Sequence, residues 1–407
     1  MGSIFLHSKS KQSIKTFNNV KITILCSCVT ILVLRGTIGL TNFLNIPNSS
    51  QLTIQDLSNS FHEHDRVLST ISWKDNDNNS DDDGDDDNGE NEEVMFPNIR
   101  DWDEQRQEWM SQFAYIMSSS SHTNILLVTS SPSSPCESPL GDHYLLKAIK
   151  NKMDYARTHH MHIFYNIAKL YPGMSNSTSD SSSWSKLPLL RNLMLTHPEI
   201  EWLWWMDENA MFTDMSFEVP LDKYKDHNLV LHGWEDEVYV KKEWVGLNTG
   251  SFLIRNCQWA LDLLDAWASM GLKSGQEMGK VLSQTLVGRP PFEADDQSAL
   301  VYLLITQKDL WSNKVFLENS YYLDGYWVSL VDLFEDDVDV GEVSRSDNGH
   351  NRWPFVTHFV GCQTCSSYGD YSVERCLKHM ERSFNFADNQ ILDQYGYTHK
   401  NLDSFEL

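Results

Sequence analysis

The chain has 407 residues, of which 41% are hydrophobic, and a formal net charge of -25. That apolar content is sufficient for a large folded domain. The acidic balance argues against a nucleic-acid-binding surface, because phosphate recognition needs clustered Lys and Arg. Much of the acidity lies in residues 74–93, KDNDNNSDDDGDDDNGENEE, a run that repels itself and is typical of a disordered spacer.

The N-terminal part of the chain has the pattern of a membrane anchor. Lysines without acidic neighbours precede an apolar run at residues 22–44, which has about the length of a bilayer span despite Arg35. Because basic residues lie before the run and none just after, its N-terminus is predicted to be cytosolic. We therefore expect a basic cytosolic tail at 1–21, a transmembrane signal anchor at 22–44, a disordered acidic stem at 45–95 and a lumenal domain at 96–407. A cleaved signal peptide is the alternative.

A lumenal location would expose the domain to glycosylation and oxidation. The Asn-x-Ser/Thr sequons are Asn48, Asn78 and Asn176. Of the seven cysteines, Cys26 and Cys28 lie in the apolar run, and the other five form an odd set in which at least one is free or bonded to another chain. Cys362, Cys365 and Cys376 resemble a zinc knuckle but lack a fourth ligand at matching spacing, which favours a local disulfide.

Alternating strands and helices follow from Asp101 onward. Strands are predicted at 124–130, 162–166, 201–207, 228–234, 250–256 and 355–360, and helices at 144–160, 187–198, 259–270 and 295–306. In the first helix, apolar residues recur at helical spacing (Leu146, Ile149, Met153 and Ala156), and basic residues occupy much of the other face. The βαβαβ order predicts an α/β fold with a parallel sheet covered by helices. No GxGxxG or Walker motif is present, which argues against a dinucleotide fold or a P-loop.

The strand at 201–207 ends abruptly in three polar residues, Asp207, Glu208 and Asn209. They are either the end of a core strand that meets solvent or a set of oxygen ligands for a metal. Ligands bind beyond the carboxyl ends of the strands in such a sheet, and residues two apart on an extended chain point to the same side. This position favours the metal site.

Long sequence blocks carry a resemblance to a known family. PEIEWLWWMD (198–207), VGLNTGSFLIRN (245–256), FEADDQSALVYLL (292–304) and THFVGC (357–362) occur in this order. With them the chain resembles the plant xyloglucan 6-xylosyltransferases of glycosyltransferase family 34, which also contains galactomannan galactosyltransferases. The resemblance extends from Asp101 to near the C-terminus.

The resemblance implies a type II Golgi membrane enzyme whose lumenal domain has a GT-A-type, Rossmann-like α/β fold. It implies transfer of an α-xylosyl unit from UDP-xylose to O6 of glucose in a β-1,4-glucan with retention of configuration. A manganese ion would bridge the enzyme and the diphosphate, since a hard divalent cation stabilises charge on the departing phosphate oxygens.

The same resemblance assigns roles to individual residues. The metal ligands would be Asp207, Asn209 and His358. Asp295 and Asp296 would position the donor sugar, although residues just before a helix also serve as N-caps. Gln297 would lie beside the anomeric carbon, where an amide is a poor nucleophile and a front-face route to retention is expected. The other expected contacts with the UDP-sugar and its metal are Thr129, Ser130, Lys186, Glu208, Asn248 and Gln363.

Three positions depart from the family pattern. The metal motif Asp-Ser-Asp of the family is Asp207-Glu208-Asn209 here, so the expected ligand at the third position keeps a carbonyl oxygen but loses its negative charge. Gln363 replaces a Lys, and Ser130 stands where the family has Gly. Two alternatives to an active xylosyltransferase therefore stay open: a low-activity or inactive subunit of a Golgi xyloglucan-synthesising complex, and an α-galactosyltransferase that acts on mannan. A homo- or hetero-oligomer with related transferases or a glucan synthase is expected.

Overall fold

The structure is a computed structural model that describes residues 99–113, 124–132, 135–136, 138–167, 183–272, 275–331, 354–362, 365 and 370–403. The predicted tail, anchor and stem lie outside the described residues, as do the three sequons and Gln363. Within the described ranges, no helix combines the length and the apolar character that crossing a membrane requires.

A six-stranded sheet forms the centre of the domain, in the order β2-β1-β3-β6-β5-β7. Its strands are β1 (Ile125–Ser131), β2 (His162–Ile167), β3 (Trp202–Met206), β5 (Leu229–Gly233), β6 (Leu247–Arg255) and β7 (Val315–Glu318). The five of these that were predicted from the sequence are confirmed; β7 was not foreseen.

The sheet is mixed, so the prediction of a parallel sheet was wrong at β6. This strand runs antiparallel to both β3 and β5, whereas β1 is parallel to β2 and β3 and β5 is parallel to β7. The Trp234 backbone N–H donates to Gly246 O at 3.0 Å and returns the chain beside β5. A parallel connection would instead have to cross to the opposite end of the sheet.

Helices cover both faces of the sheet. They are α1 (Trp102–Gln112), α2 (Pro139–Thr158), α3 (Lys186–Thr196), α4 (Gln258–Leu272), α5 (Gly275–Thr285), α6 (Asp296–Thr306), α7 (Lys308–Trp311) and α8 (Val373–Leu392). Successive residues of β1 belong to different cores: Leu126 and Val128 pack with α3, α4 and α6, while Leu127 packs with Tyr155 of α2. A strand buried on both faces reads as one continuous apolar run.

Helix α2 buries only part of the face that its sequence suggests, and Ala156 belongs to the buried part. Leu146 and Met153 are 65% and 43% exposed, whereas Asn151 and Lys152 are buried. The polar pair turns inward because backbone groups of residues 208–212 supply its hydrogen-bond partners, which offsets the cost of removing it from water.

A second, three-stranded sheet has the order β4-β9-β8. Its strands are β4 (Ala210–Phe212), β8 (Gly325–Tyr326) and β9 (Val356–His358). The strand expected at 355–360 is therefore present, but in this small sheet. Because β4 follows Asp207 by three residues and Ala210 pairs with His358, this sheet brings His358 to the end of β3.

Two disulfides lie in the described part of the chain. Cys362–Cys376 is the local disulfide that the sequence favoured. Cys136–Cys365 joins residues 229 apart in sequence, and its pairing was not foreseen. Among the described cysteines, Cys257 is free, as the odd number of cysteines outside the apolar run allowed.

Candidate active site

Three polar side chains meet at the carboxyl end of β3. His358 Nε2 lies 3.1 Å from Asn209 Oδ1 and 3.6 Å from Asp207 Oδ2. Asn209 is fixed by the residue after His358: its Nδ2 donates to Phe359 O at 2.9 Å, and Phe359 N donates to Asn209 O at 3.1 Å. The structure thus brings together the three metal ligands that the sequence predicted.

A fourth residue, Asp324, orients the imidazole and was missed by the sequence analysis. It is fully buried, and its Oδ1 lies 2.8 Å from His358 Nδ1. Its Oδ2 has no hydrogen-bond partner among the described residues. Asp324 is a single acidic residue before the Gly-Tyr-Trp triplet and belongs to no periodic sequence pattern. Its apolar neighbours were the one signal in the sequence that pointed to burial.

Gly250 leaves the space that the imidazole occupies. A Cβ at this position would lie 2.1 Å from His358 Cε1 and 2.8 Å from Asp324 Oδ2. Any larger residue would therefore displace the imidazole, and the glycine of the GLNTGS block is required by close approach rather than by backbone conformation.

The donor types fit a hard or borderline divalent cation. A carboxylate, an amide oxygen and an imidazole suit manganese or magnesium, and a carboxylate on the distal imidazole nitrogen is the usual second partner of a metal-binding histidine. In the described ranges, no cluster of three or more His, Cys, Asp or Glu side chains could hold a metal ion. The third donor at this site would have to be the Asn209 amide.

Charge accumulates at this edge of the sheet. Burial alone would lower the pKa of His358, but the carboxylates of Asp324 and Asp207 raise it above its usual value. Burial raises the pKa of Asp207 despite the opposing charges of Lys186 and His358. Burial and the Asp207 charge raise the pKa of Glu208 to about 7. Such shifts are typical of functional sites.

Lys186 and Asp296 form a buried ion pair near the predicted metal ligand Asp207. Lys186 Nζ lies 2.6 Å from Asp296 Oδ2 and donates to Thr249 O at 3.0 Å. Thr249 Oγ1 donates to the same Asp296 oxygen at 2.8 Å. Burial lowers the pKa of Lys186, but the charges of Asp296 and Asp207 reverse this and leave it raised. The two predicted donor residues therefore act as one unit.

Asp295 is the N-cap of α6. Its Oδ1 accepts from Ser298 N at 2.8 Å, and its Oδ2 accepts from Arg289 Nη2 at 2.9 Å. The capping interpretation is thus confirmed, and both carboxylate oxygens are engaged within the protein. In the first turn of the helix, Gln297 Nε2 donates to Trp244 O at 3.2 Å.

The remaining predicted donor contacts lie along the same edge of the sheet. Val128 of β1 pairs with Trp205 of β3, so Thr129 and Ser130, the next two residues of β1, lie toward the level of Asp207. Thr129 is buried, and its Oγ1 has no hydrogen-bond partner in the described part of the chain. On the other side of β3, Asn248 Oδ1 accepts from Gly250 N at 2.9 Å.

Comparisons with known proteins identify the family of the chain. The sequence model of the galactosyl transferase GMA12/MNN10 family matches residues 121–369. Probable xyloglucan 6-xylosyltransferase 5 of Arabidopsis thaliana is 52% identical, over 97% of this chain and 84% of that protein. Xyloglucan 6-xylosyltransferase 2 of the same plant is 50% identical, over 96% and 89%. Probable glycosyltransferase 2 of Oryza sativa subsp. japonica is 52% identical, over 98% and 86%.

Solved structures are more distant. A glycosyltransferase involved in the glycosylation of the major capsid of PBCV-1 has a TM-score of 0.40 and 11% identity, covering 63% of this chain and 98% of that chain. The α/β domain is that of a glycosyltransferase: the family match and the sequence relatives show that the chain belongs to glycosyltransferase family 34, the galactosyl transferase GMA12/MNN10 family.

Proposed function

We propose that the protein transfers an α-xylosyl unit from UDP-xylose to O6 of glucose in a β-1,4-glucan, with manganese assistance and retention of configuration. The observation that carries this proposal is the convergence of Asp207, Asn209 and His358 at the end of β3. The names of relatives about half identical over most of their length supply the donor and the acceptor.

Asp207, Asn209 and His358 would hold the cation, which supplies charge stabilisation for a departing diphosphate when bound. Asp324 keeps the proton on His358 Nδ1, so that Nε2 can face the ligand side. The Lys186–Asp296 pair fixes the start of α6 against Thr249 of β6. Gln297, one residue further along, would present its amide to the sugar.

The chemistry of Gln297 supports the front-face route to retention. A double displacement needs a carboxylate nucleophile at the anomeric carbon. Asp295 uses both oxygens in the cap and the Arg289 pair, and Asp296 is paired with Lys186. The side chain at the third position is an amide, which can stabilise positive charge without trapping the sugar.

The direct test is turnover by the purified protein with manganese, UDP-xylose and cello-oligosaccharides. Xylosylated product is expected from the wild type and none from Asp207→Ala. Parallel reactions with UDP-galactose and manno-oligosaccharides examine the galactosyltransferase alternative. Product only in those reactions would overturn the choice of donor and acceptor.

A second candidate is a low-activity subunit of a Golgi xyloglucan-synthesising complex. Asn209 favours it, because an amide at a ligand position lacks the charge of a carboxylate. Turnover that is absent in the wild type and present in Asn209→Asp with Gln363→Lys would establish this function. The basic tail and the apolar run at 22–44 support placement in the Golgi membrane with the catalytic domain in the lumen, which protease protection of sealed vesicles would test.

A further inference from the structure

A lysine is buried beneath the metal-binding turn. Lys152 of α2 is 1% exposed, and its Nζ donates to Ala210 O at 2.7 Å and to Glu208 O at 3.2 Å. Ordinary helix packing against a sheet would use an apolar side chain here. The lysine therefore needs an explanation beyond filling the core.

Burying this side chain is costly. An ammonium group loses its hydration in a protein interior, and this loss is unfavourable unless other groups replace the water. Among the described residues, no carboxylate lies within ion-pair distance of its Nζ, which donates to the two carbonyls. Burial lowers the pKa of Lys152 to about 7, against the opposing charges of Glu208 and Asp207. Neutral or charged, the amine can donate to both carbonyls.

The two carbonyls belong to the residues on either side of Asn209. The turn is closed by a hydrogen bond from Ala210 N to Asp207 O at 3.2 Å. Phe359, in the segment after β9, hydrogen-bonds to both the backbone and the side-chain amide of Asn209. Helix α2 and the segment after β9 thus both hydrogen-bond to the same four-residue turn.

We propose that Lys152 is a positioning residue for the metal site: by binding the carbonyls of Glu208 and Ala210, it holds the turn so that Asp207 and Asn209 converge on His358. This proposal rests on the metal site of the proposed function. Lys152 does not touch the substrates or the cation; it acts through the backbone that carries two of the ligands.

The chain contains a matched control one residue away. Asn151 is 3% exposed on the same helix. Its Nδ2 donates to Phe212 O at 2.8 Å, and its Oδ1 accepts from Phe212 N at 2.8 Å. It therefore anchors the far end of β4 as Lys152 anchors the near end. A loss of core packing affects both positions, but only Lys152 adjoins the ligands.

The experiment compares Lys152→Met with Asn151→Leu in the purified full-length protein. Manganese affinity is measured directly, from the electron paramagnetic resonance signal of free Mn²⁺ with and without UDP, and the melting temperature is measured in parallel. Lys152→Met should weaken manganese binding about tenfold, the lower end of what loss of an outer-shell contact costs. Asn151→Leu should lower the melting temperature and leave manganese affinity unchanged.

A common loss of manganese affinity in both variants, or an unchanged affinity in Lys152→Met, would overturn the proposal. If Lys152→Met does not fold, Lys152→Gln serves instead, because it keeps a shorter donor and should give a smaller loss in the same direction. A wild-type protein that binds no manganese with UDP would overturn the metal-assisted function as well. If the wild type binds manganese and the two variants have equal manganese affinity, the positioning role is refuted but the metal-assisted function is not.

Discussion

Asp324 and His358 form a buried carboxylate–imidazole pair, with 2.8 Å between Asp324 Oδ1 and His358 Nδ1. The pair fixes which imidazole nitrogen faces Asn209 and Asp207. Asp324 is supplied by the loop between β7 and β8, so the site depends on a residue that is far from either predicted ligand motif in sequence.

Replacing Asp324 with Asn should weaken manganese binding about ten- to a hundredfold, because an amide can pair with either protonation form of the imidazole nitrogen. The measurement is a manganese titration by calorimetry in the presence of UDP. Glu318→Gln is the control, since Glu318 is equally buried but pairs with Lys223 and Tyr224. Equal losses of affinity in the two variants would contradict the orienting role.

Asn209→Asp should strengthen manganese binding, on the order of tenfold, because it restores a charged oxygen ligand. Isothermal titration with manganese and UDP measures the change. The same charge is added away from the site by Asn313→Asp, at an exposed position before β7, and this control should leave the affinity as it is. Comparable gains in both variants would point to overall charge rather than to coordination.

Lys186→Met should destabilise the fold by about 3–5 kcal/mol, because it leaves Asp296 as a buried charge without its partner. Adding Asp296→Asn should recover part of that loss in urea unfolding. Turnover should stay absent in the double variant, since both donor-site residues are gone. Additive losses of stability would show that the pair is not coupled.

The melting temperature of the metal-free protein and its affinity for manganese should change with pH in opposite directions. The pKa values of His358 and Asp207 are both raised in the fold, so their protonated forms stabilise the metal-free protein below the unfolded pKa values. That contribution is lost as the pH rises through the folded values. Manganese competes with the same protons.

Manganese affinity should therefore increase with pH over the range in which the metal-free melting temperature loses this contribution. Both quantities are measured on one pH series in wild type and in His358→Gln. In His358→Gln, the contribution of imidazole titration should be missing from the pH dependence of both the manganese affinity and the melting temperature. Parallel pH profiles in the two proteins would exclude His358 as the titrating ligand.

The sequence predicted what depends on local patterns. The run 201–207 reads as a buried strand from its aromatic content, and the acidic break after it marked the edge at which Asp207, Asn209 and His358 meet. The direction of β6 was beyond such patterns, because alternation of side chains is the same in a parallel and an antiparallel strand. It is decided by how residues 234–246 return the chain.

Sequence patterns also did not predict the roles of residues whose partners lie far away along the chain. Lys152 looks in sequence like one more solvated base on α2, and only the turn at 207–210 explains its burial. Asp324 is a single acid in an apolar stretch, and its partner His358 is 34 positions away. Helical spacing consequently chose Leu146 and Met153 as core residues, although the structure leaves both exposed.

During synthesis, β9 is made after every strand of the main sheet. All six strands of the main sheet have been synthesised once Glu318 is made, but the imidazole of His358 comes only with β9, and the Cys362–Cys376 bond needs residues later still. A nascent chain that stops before Val356 contains two of the three predicted metal ligands but lacks β9 and α8, whose side chains complete two of the cores. The three predicted ligands can therefore meet only after the last part of the domain has been made.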